Sequence, residues 1–510
     1  MRFSSDIILP MSKNIRKAGV LLHPTSIPTK YGIGDFGENA YKIIDLFSNN
    51  NISLWQVLPL GPTGYGDSPY ASRSTFAGNE LLIDIKLLYL DGYLDLEDVL
   101  MLPVETQRVD YGLAREVKMP LLEKAAKTFL AQGGSKEYDE FVKEKSAWLE
   151  DYALYQALCA HYNDSRWFSA WPEDLKRRKK AALSKARAEF KETIDIYKVL
   201  QFFFFSQWKD LKAYANEHGV SIIGDIPIFV APDSVDAWTN VELFKMDEDL
   251  NQTKSSGVPP DAFSATGQLW GNPVYDWKAH EKTNFAWWIE RIKGTLELCD
   301  IVRIDHFRGF AACWEVPADA KTAMEGEWVK APGEKLLRAV KEQLGDLPLI
   351  AEDLGVITPD VEKLRDDNNL PGMKILQFAF GFEGDEFDKA NEYLPHNIGE
   401  NCVVYTGTHD NNTTLGWYRD LDERTKDYVR KYFETDESDI VYKMLRIMLM
   451  TKARYAIVPM QDILGLDGDA RMNVPSTCGS SNWSWKMDEK YLKDDYFARF
   501  GYYIKLYGRA

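Results

Sequence analysis

The scarcities of this chain exclude whole classes of function. Only five cysteines occur in 510 residues (Cys159, Cys299, Cys313, Cys402, Cys478), dispersed and without a Cys-x-x-Cys pair. An odd, scattered set fits the reduced thiols of a cytoplasmic protein and excludes a disulfide framework or a cysteine zinc site. Cys299, Cys313 and Cys402 lie in apolar surroundings and read as small core residues. No run approaches the roughly 18 apolar residues of a membrane span. The stretch Met1–Arg16 has only the short apolar patch Ile7–Met11, with Arg2 offset by Asp6, so no membrane association is expected. Long basic blocks are missing too: 61 Lys and Arg stand against 78 Asp and Glu, for a formal charge of -17. Nucleic acid and acidic surfaces are therefore not expected as partners. The one Lys/Arg-dense patch, Lys176–Arg187, alternates with Ala and Leu and reads as a solvated helix face. Absent as well are a His-Glu-x-x-His, a serine nucleophile elbow and a P-loop.

Aromatics, by contrast, are plentiful. They make up 13% of the chain, with 15 Trp, 26 Tyr and 25 Phe. Trp and Tyr beside Asn, Asp and Gln in loops are what sugar-stacking surfaces require. Eight short apolar segments have strand character: Gly19–His23, Leu54–Leu60, Val220–Phe229, Ile301–Ile304, Leu347–Ala351, Met373–Phe380, Cys402–Tyr405 and Tyr455–Met460. Helical periodicity fills much of the sequence between them, as in Asn39–Ser48, Phe285–Leu298 and Glu334–Gln343. Strand–helix alternation with eight strands implies parallel pairing and an α/β fold, a (β/α)8 TIM barrel. An open doubly wound sheet is the alternative, but no Gly-rich phosphate fingerprint follows the first strand.

The expected organisation is a single catalytic barrel over residues 1–510 with helical and loop insertions and no C-terminal β-domain. Residues 61–219 form a mostly helical insertion between the second and third strands, with helices expected over Tyr138–Ala160 and Asp174–Glu192. Residues 231–300, rich in Gly, Pro, Asp and Trp, form an active-site loop and insertion between the third and fourth.

In a barrel the site lies at the C-terminal ends of the strands. The third strand ends in Gly224-Asp225-Ile226-Pro227 and the fourth in Arg303-Ile304-Asp305-His306. The fifth ends in Ala351-Glu352-Asp353 and the seventh in Gly407-Thr408-His409-Asp410. Arg303 and Asp305, two apart, share a strand face, and a guanidinium there stabilises the carboxylate as its anion. Helix capping explains one such acid, Asp225 or Asp353, as readily as chemistry does. It does not explain four strands each delivering an acid to one mouth. Oxygen-type metal binding tolerates the set, but Arg303, His306 and His409 beside it are unfavourable for a cation, so no metal and no cofactor are expected. His306 and His409 also fit core donors. Glycoside chemistry remains: one carboxylate attacks the sugar carbon, and a second, protonated, serves the leaving oxygen. Arg303 would keep Asp305 ionised while burial raises Glu352, and Asp410 would stabilise charge on the ring.

Arg-x-Asp on the fourth strand, Glu on the fifth and His-Asp on the seventh resemble the α-amylase superfamily. Within it the chain is most similar to the amylomaltases, or disproportionating 4-α-glucanotransferases. The segments that carry the resemblance are Leu21–Gly37, Gln56–Gly78, Gly224–Ala231, Gly257–Trp277, Ile301–Phe310, Ala351–Gly355, Thr406–Thr414 and Arg471–Trp485. The resemblance implies Asp305 as nucleophile, Glu352 as general acid/base and Asp410 as transition-state stabiliser. Arg303, Asp225, His409 and Tyr70 would hold the sugar at the point of cleavage. Ser68, Asp261, Gln268 and Trp270 would line the glucan path, and Asn473 belongs to the matching tail motif and is placed with the substrate-binding set. Ser476 stands where Gly is usual and Lys486 where Arg is usual. The implied partners are an α-1,4-glucan donor and a glucose or maltooligosaccharide acceptor. Trp270 and Tyr275 of the Gly257–Trp277 loop are expected to offer flat faces to the acceptor, with loop closure excluding water.

Overall fold

The structure, a computed structural model, describes residues 16–100, 106–260 and 264–510. Eight parallel strands form its centre: β1 Lys17–Leu21, β2 Leu54–Gln56, β3 Ser221–Ile226, β4 Ile301–Ile304, β5 Leu349–Ala351, β6 Gly372–Ile375, β7 Cys402–Tyr405 and β8 Tyr455–Pro459. The hydrogen-bonded order is β6-β7-β8-β1-β2-β3-β4-β5. The two ends meet where the Ala351 N–H donates to Pro371 O at 2.9 Å and the Met373 N–H to Asp353 Oδ1 at 2.7 Å. The sheet thus closes as a barrel, with a carboxylate completing the seam. Nearly every strand residue is buried, which is why these segments read as continuous apolar runs rather than alternating ones. Three expected strands end well short: β2, expected to reach Leu60, stops at Gln56. β3 stops at Ile226 before Pro227, which has no N–H to give the ladder, and β6 passes at Leu376 into a 3-10 turn.

Helices pack around the barrel, among them α1 Glu38–Asn49, α2 Tyr111–Ala131, α3 Ser146–Tyr162, α4 Lys191–Glu217, α5 Ala286–Leu298 and α6 Gly333–Leu344. α4 does two jobs. Its first turns, with Ile194, join a separate core containing Tyr152, Tyr155, Trp167 and Trp238, and its later turns bring Trp208 and Leu211 to the barrel core. Two buried glutamines on α4 tie down the chain leaving β2. Gln201 exchanges hydrogen bonds with Gly78 at 2.8 and 2.9 Å, and Gln207 with Asp84 at 2.7 and 3.1 Å. The 138–160 stretch is broken at Lys145, and the 174–192 stretch at Arg178, which has φ 51°. Arg178, at the break, and Arg187, on the helix that follows it, both bond Asp151, so the Lys/Arg-dense patch is not one helix face and is partly paired.

The 231–300 connection is more than a loop. Its strands Lys254–Val258 and Gln268–Pro273 join Ala312–Pro317 and Glu327–Lys330 from the β4–β5 connection in a four-stranded antiparallel sheet. Their patterns hide this: Gln268-Leu-Trp-Gly-Asn-Pro carries two strand breakers, tolerated because it is an edge strand. All five cysteines are free, and only Cys478 is exposed. Among the described residues no helix is long and apolar enough to cross a membrane.

Candidate active site

The β3–β4 ladder sets the site's first pair. Asp225 and Arg303 are register partners, so both side chains point to the same face. Arg303 donates from Nη1 to Asp225 Oδ2 at 2.6 Å and from Nη2 to Asp305 Oδ1 at 2.7 Å. Tyr70, from the loop after β2, donates its hydroxyl to the same Asp225 Oδ2 at 2.7 Å. Asp225 Oδ1 is buried without a hydrogen-bond partner among the described residues. That idle acceptor is expensive unless a ligand hydroxyl meets it. Burial raises the Asp225 carboxyl from its ordinary range, and Arg303 opposes that rise. Asp305 is the less enclosed carboxylate, with 29% of its side chain exposed.

Glu352 follows β5 and lies across from Asp305. The backbone N–H of His306 donates to its Oε2 at 2.6 Å and that of Leu354 to its Oε1 at 2.9 Å. Both bonds favour the anion, yet burial, helped by the charge of Asp305, pushes the carboxyl up to about 8. Two acids at one mouth therefore occupy different environments: one braced by a guanidinium, one desolvated. Asp353, the neighbour of Glu352, caps no helix; it holds the β5–β6 seam and pairs with Arg365.

Past β7, Asp410 Oδ1 accepts the Asn473 side-chain amide at 2.6 Å and lies 3.4 Å from His409 Nε2. Arg471 donates to the Asp410 carbonyl, and the Asn473 N–H to that of His409 at 3.0 Å. Asn473 thus directs its amide to Asp410. The His409 ring stacks on Tyr70, with centroids 5.0 Å apart and planes at 16°, and Trp483 covers the pair. Hollows beside Tyr70, Asp225 and Phe229, and beside His409 and Arg471, flank this centre.

The remaining expected residues spread outward. Ser68 Oγ accepts the Tyr70 N–H at 3.2 Å and so shapes the turn that presents that ring. Gln268 and Trp270 stand on the side sheet, where Trp270 Nε1 donates to Gln268 Oε1 at 3.3 Å and the indole is 38% exposed. Asp261 lies outside the described residues. Tyr275 corrects the expectation: it is 1% exposed, walled in by aromatic rings, with its hydroxyl donated to Ile228 O at 2.7 Å. It anchors the side sheet and presents no face to a sugar. Ser476 sits at φ 61°, which explains why Gly is usual there, and Lys486 donates to Thr29 O at 3.0 Å and Thr106 O at 3.1 Å. Residues the sequence reading missed are Arg471 as a brace, and His306 and Leu354 as amide donors to Glu352. Arg471 was visible within the tail motif, but backbone donors leave no residue-type signal.

A family model described as 4-alpha-glucanotransferase matches residues 22–492. The chain belongs to that family, glycoside hydrolase family 77. Among its 4-alpha-glucanotransferase relatives, that of Streptococcus pneumoniae serotype 4 is 48% identical over 482 residues, covering 94% of each chain. That of Thermus thermophilus is 47% identical over 496 residues, 95% of this chain and 97% of the relative. An amylomaltase from Streptococcus agalactiae, solved in complex with acarbose, superposes with a TM-score of 0.93 at 40% identity, covering 97% of this chain and all (100%) of the other. The barrel mouth and the side sheet meet where the Trp270 ring lies 4.8 Å from that of His306.

Proposed function

We propose that this 4-alpha-glucanotransferase moves segments of α-1,4-glucans to glucose or maltooligosaccharide acceptors by a retaining, two-step displacement. In the first step Asp305 attacks the anomeric carbon. The glycosidic bond breaks, and Glu352 gives its proton to the departing oxygen. In the second, an acceptor hydroxyl loses its proton to Glu352 as its oxygen bonds to the same carbon and the ester to Asp305 breaks. Asp410, steadied by Asn473 and His409, supports the positive charge that develops on the ring. The idle Asp225 oxygen, Tyr70 and His409 hold the donor sugar.

One observation carries this reading. A single guanidinium bridges Asp225 and Asp305 while Glu352, alongside, stays protonated up to about 8. A nucleophile needs the first environment and a general acid the second. Incubation with maltotriose tests the reading: a ladder of longer and shorter oligosaccharides is expected, whereas glucose and maltose as the dominant products would make the enzyme a hydrolase. Dispersed free thiols support a cytoplasmic setting.

A further inference from the structure

One of the two amides that hold Glu352 belongs to a residue in a conformation that side chains avoid. His306 follows Asp305 directly and sits at φ 52° and ψ 48°. That left-handed turn sends its N–H to Glu352 Oε2 at 2.6 Å. Its ring meets the indole of Trp270 edge to face, with centroids 4.8 Å apart and planes at 86°. The ring is half-buried, its buried Nε2 has no hydrogen-bond partner among the described residues, and desolvation beside Arg308 holds it neutral, its pKa pushed down to about 3. An unpaired buried nitrogen and a strained backbone both work against the resting fold. Stability alone does not account for a histidine here.

We propose that His306 is a positioning residue linking a sugar seated on Trp270 to the alignment of Glu352. The inference rests on Glu352 being the acid/base. Trp270 is 38% exposed, with the Phe229 ring 6.3 Å away. A sugar stacked on the open face fixes the indole, the indole fixes the imidazole, and the backbone that carries the imidazole aims the amide at Glu352. Both chemical steps place a sugar on this side, the leaving chain in the first and the acceptor in the second, so the same alignment serves both. Between them the subsite is empty. The link then slackens, and water meets a glycosyl-enzyme whose base is out of line. The incoming sugar hydroxyl restores the alignment, gives its proton to Glu352 and displaces Asp305 from the anomeric carbon. Transfer is thereby favoured over hydrolysis by positioning.

The experiment uses an α-maltosyl fluoride donor, which loads the enzyme without needing an acid, and compares turnover by water with turnover by saturating maltose. His306→Gly keeps the left-handed turn and the amide but deletes the ring; His306→Asn, which also tolerates the turn, stands in if the first variant folds poorly. The ratio of transfer to hydrolysis is expected to fall roughly tenfold in either, and no further when Trp270→Ala is added, because the two residues act in series. Full additivity of the two losses, or an unchanged ratio in the single variants, overturns the link. Glu352→Gln in the same assay separates the two claims: if it retains the acceptor's acceleration, Glu352 is not the base, and the reading of the site falls together with the inference.

Discussion

The floor of the cleft and the side-sheet wall beside it, the proposed acceptor side, are built on opposite plans. On the floor, Asp225 and Arg303 are buried, and Arg303 holds two carboxylates in fixed geometry. On the wall, Leu269 and Trp270 are exposed on an edge strand, and among the described residues the indole nitrogen bonds only its neighbour Gln268. Charge and strain are thus concentrated where the proposed mechanism changes covalent bonds. Preorganised dipoles there need no rearrangement as the ring becomes positive. The wall offers flat, weakly committed surfaces, which suit acceptors of any chain length because stacking does not count sugar units.

Predictions that probe this contrast fall in order of size. Asp305→Asn should cost about four orders of magnitude in transfer with the fold intact, since no other oxygen can form the ester. Retention of a tenth of the activity, at unchanged circular dichroism, would move the covalent step elsewhere. Glu352→Gln should slow maltotriose turnover by about a thousandfold and leave loading by a glycosyl fluoride intact. In the unaltered enzyme, turnover of maltotriose should decline as pH rises through about 8, where Glu352 loses its proton. The stability sign follows from the same shift. A pKa raised from 4.5 to about 8 means that the contribution of Glu352 is fully present below 4.5 and is lost as pH rises through 8. The Gln variant, which never ionises, should therefore gain in Tm over the parent across that window; parallel Tm curves would contradict the burial argument.

Arg303→Met should destabilise the floor by about 3–5 kcal/mol, read by denaturant unfolding, because it leaves Asp225 buried and unpaired. A loss below about 1 kcal/mol would show that water reaches Asp225 and that the floor is not the rigid half. The wall should give the smallest effect. Trp270→Ala is expected to raise the hydrolysed share about fivefold, the value of one stacking contact of about 1 kcal/mol. If instead only the overall rate falls, the indole serves the donor.

Much of the floor was legible because its signals are residue types at strand ends. Arg303 and Asp305 two apart, Glu352 after an apolar run and His409-Asp410 after another are patterns that a period of two exposes directly. All eight barrel strands could be read as largely apolar runs because both their faces are buried. The wall was less legible. Its strands are short, carry Gly and Pro, and pair across a gap of about fifty residues that no local pattern reports. Tyr275 shows the limit most plainly: the same loop composition that suggests a sugar platform describes an aromatic anchor. The amides of His306 and Leu354 were beyond reach, because a donor supplied by the backbone depends on a φ angle rather than on a side chain.

The central claim is that a sugar becomes covalently attached to Asp305. The most direct measurement is to load Glu352→Gln with α-maltotriosyl fluoride, quench in acid, digest and locate the added mass by tandem spectrometry. A maltotriosyl ester on Asp305 that persists when maltose is added to the variant, which lacks the base for the second step, is the predicted result. An adduct on Asp225 or Asp410, or no adduct while fluoride is released in steady turnover, would contradict it.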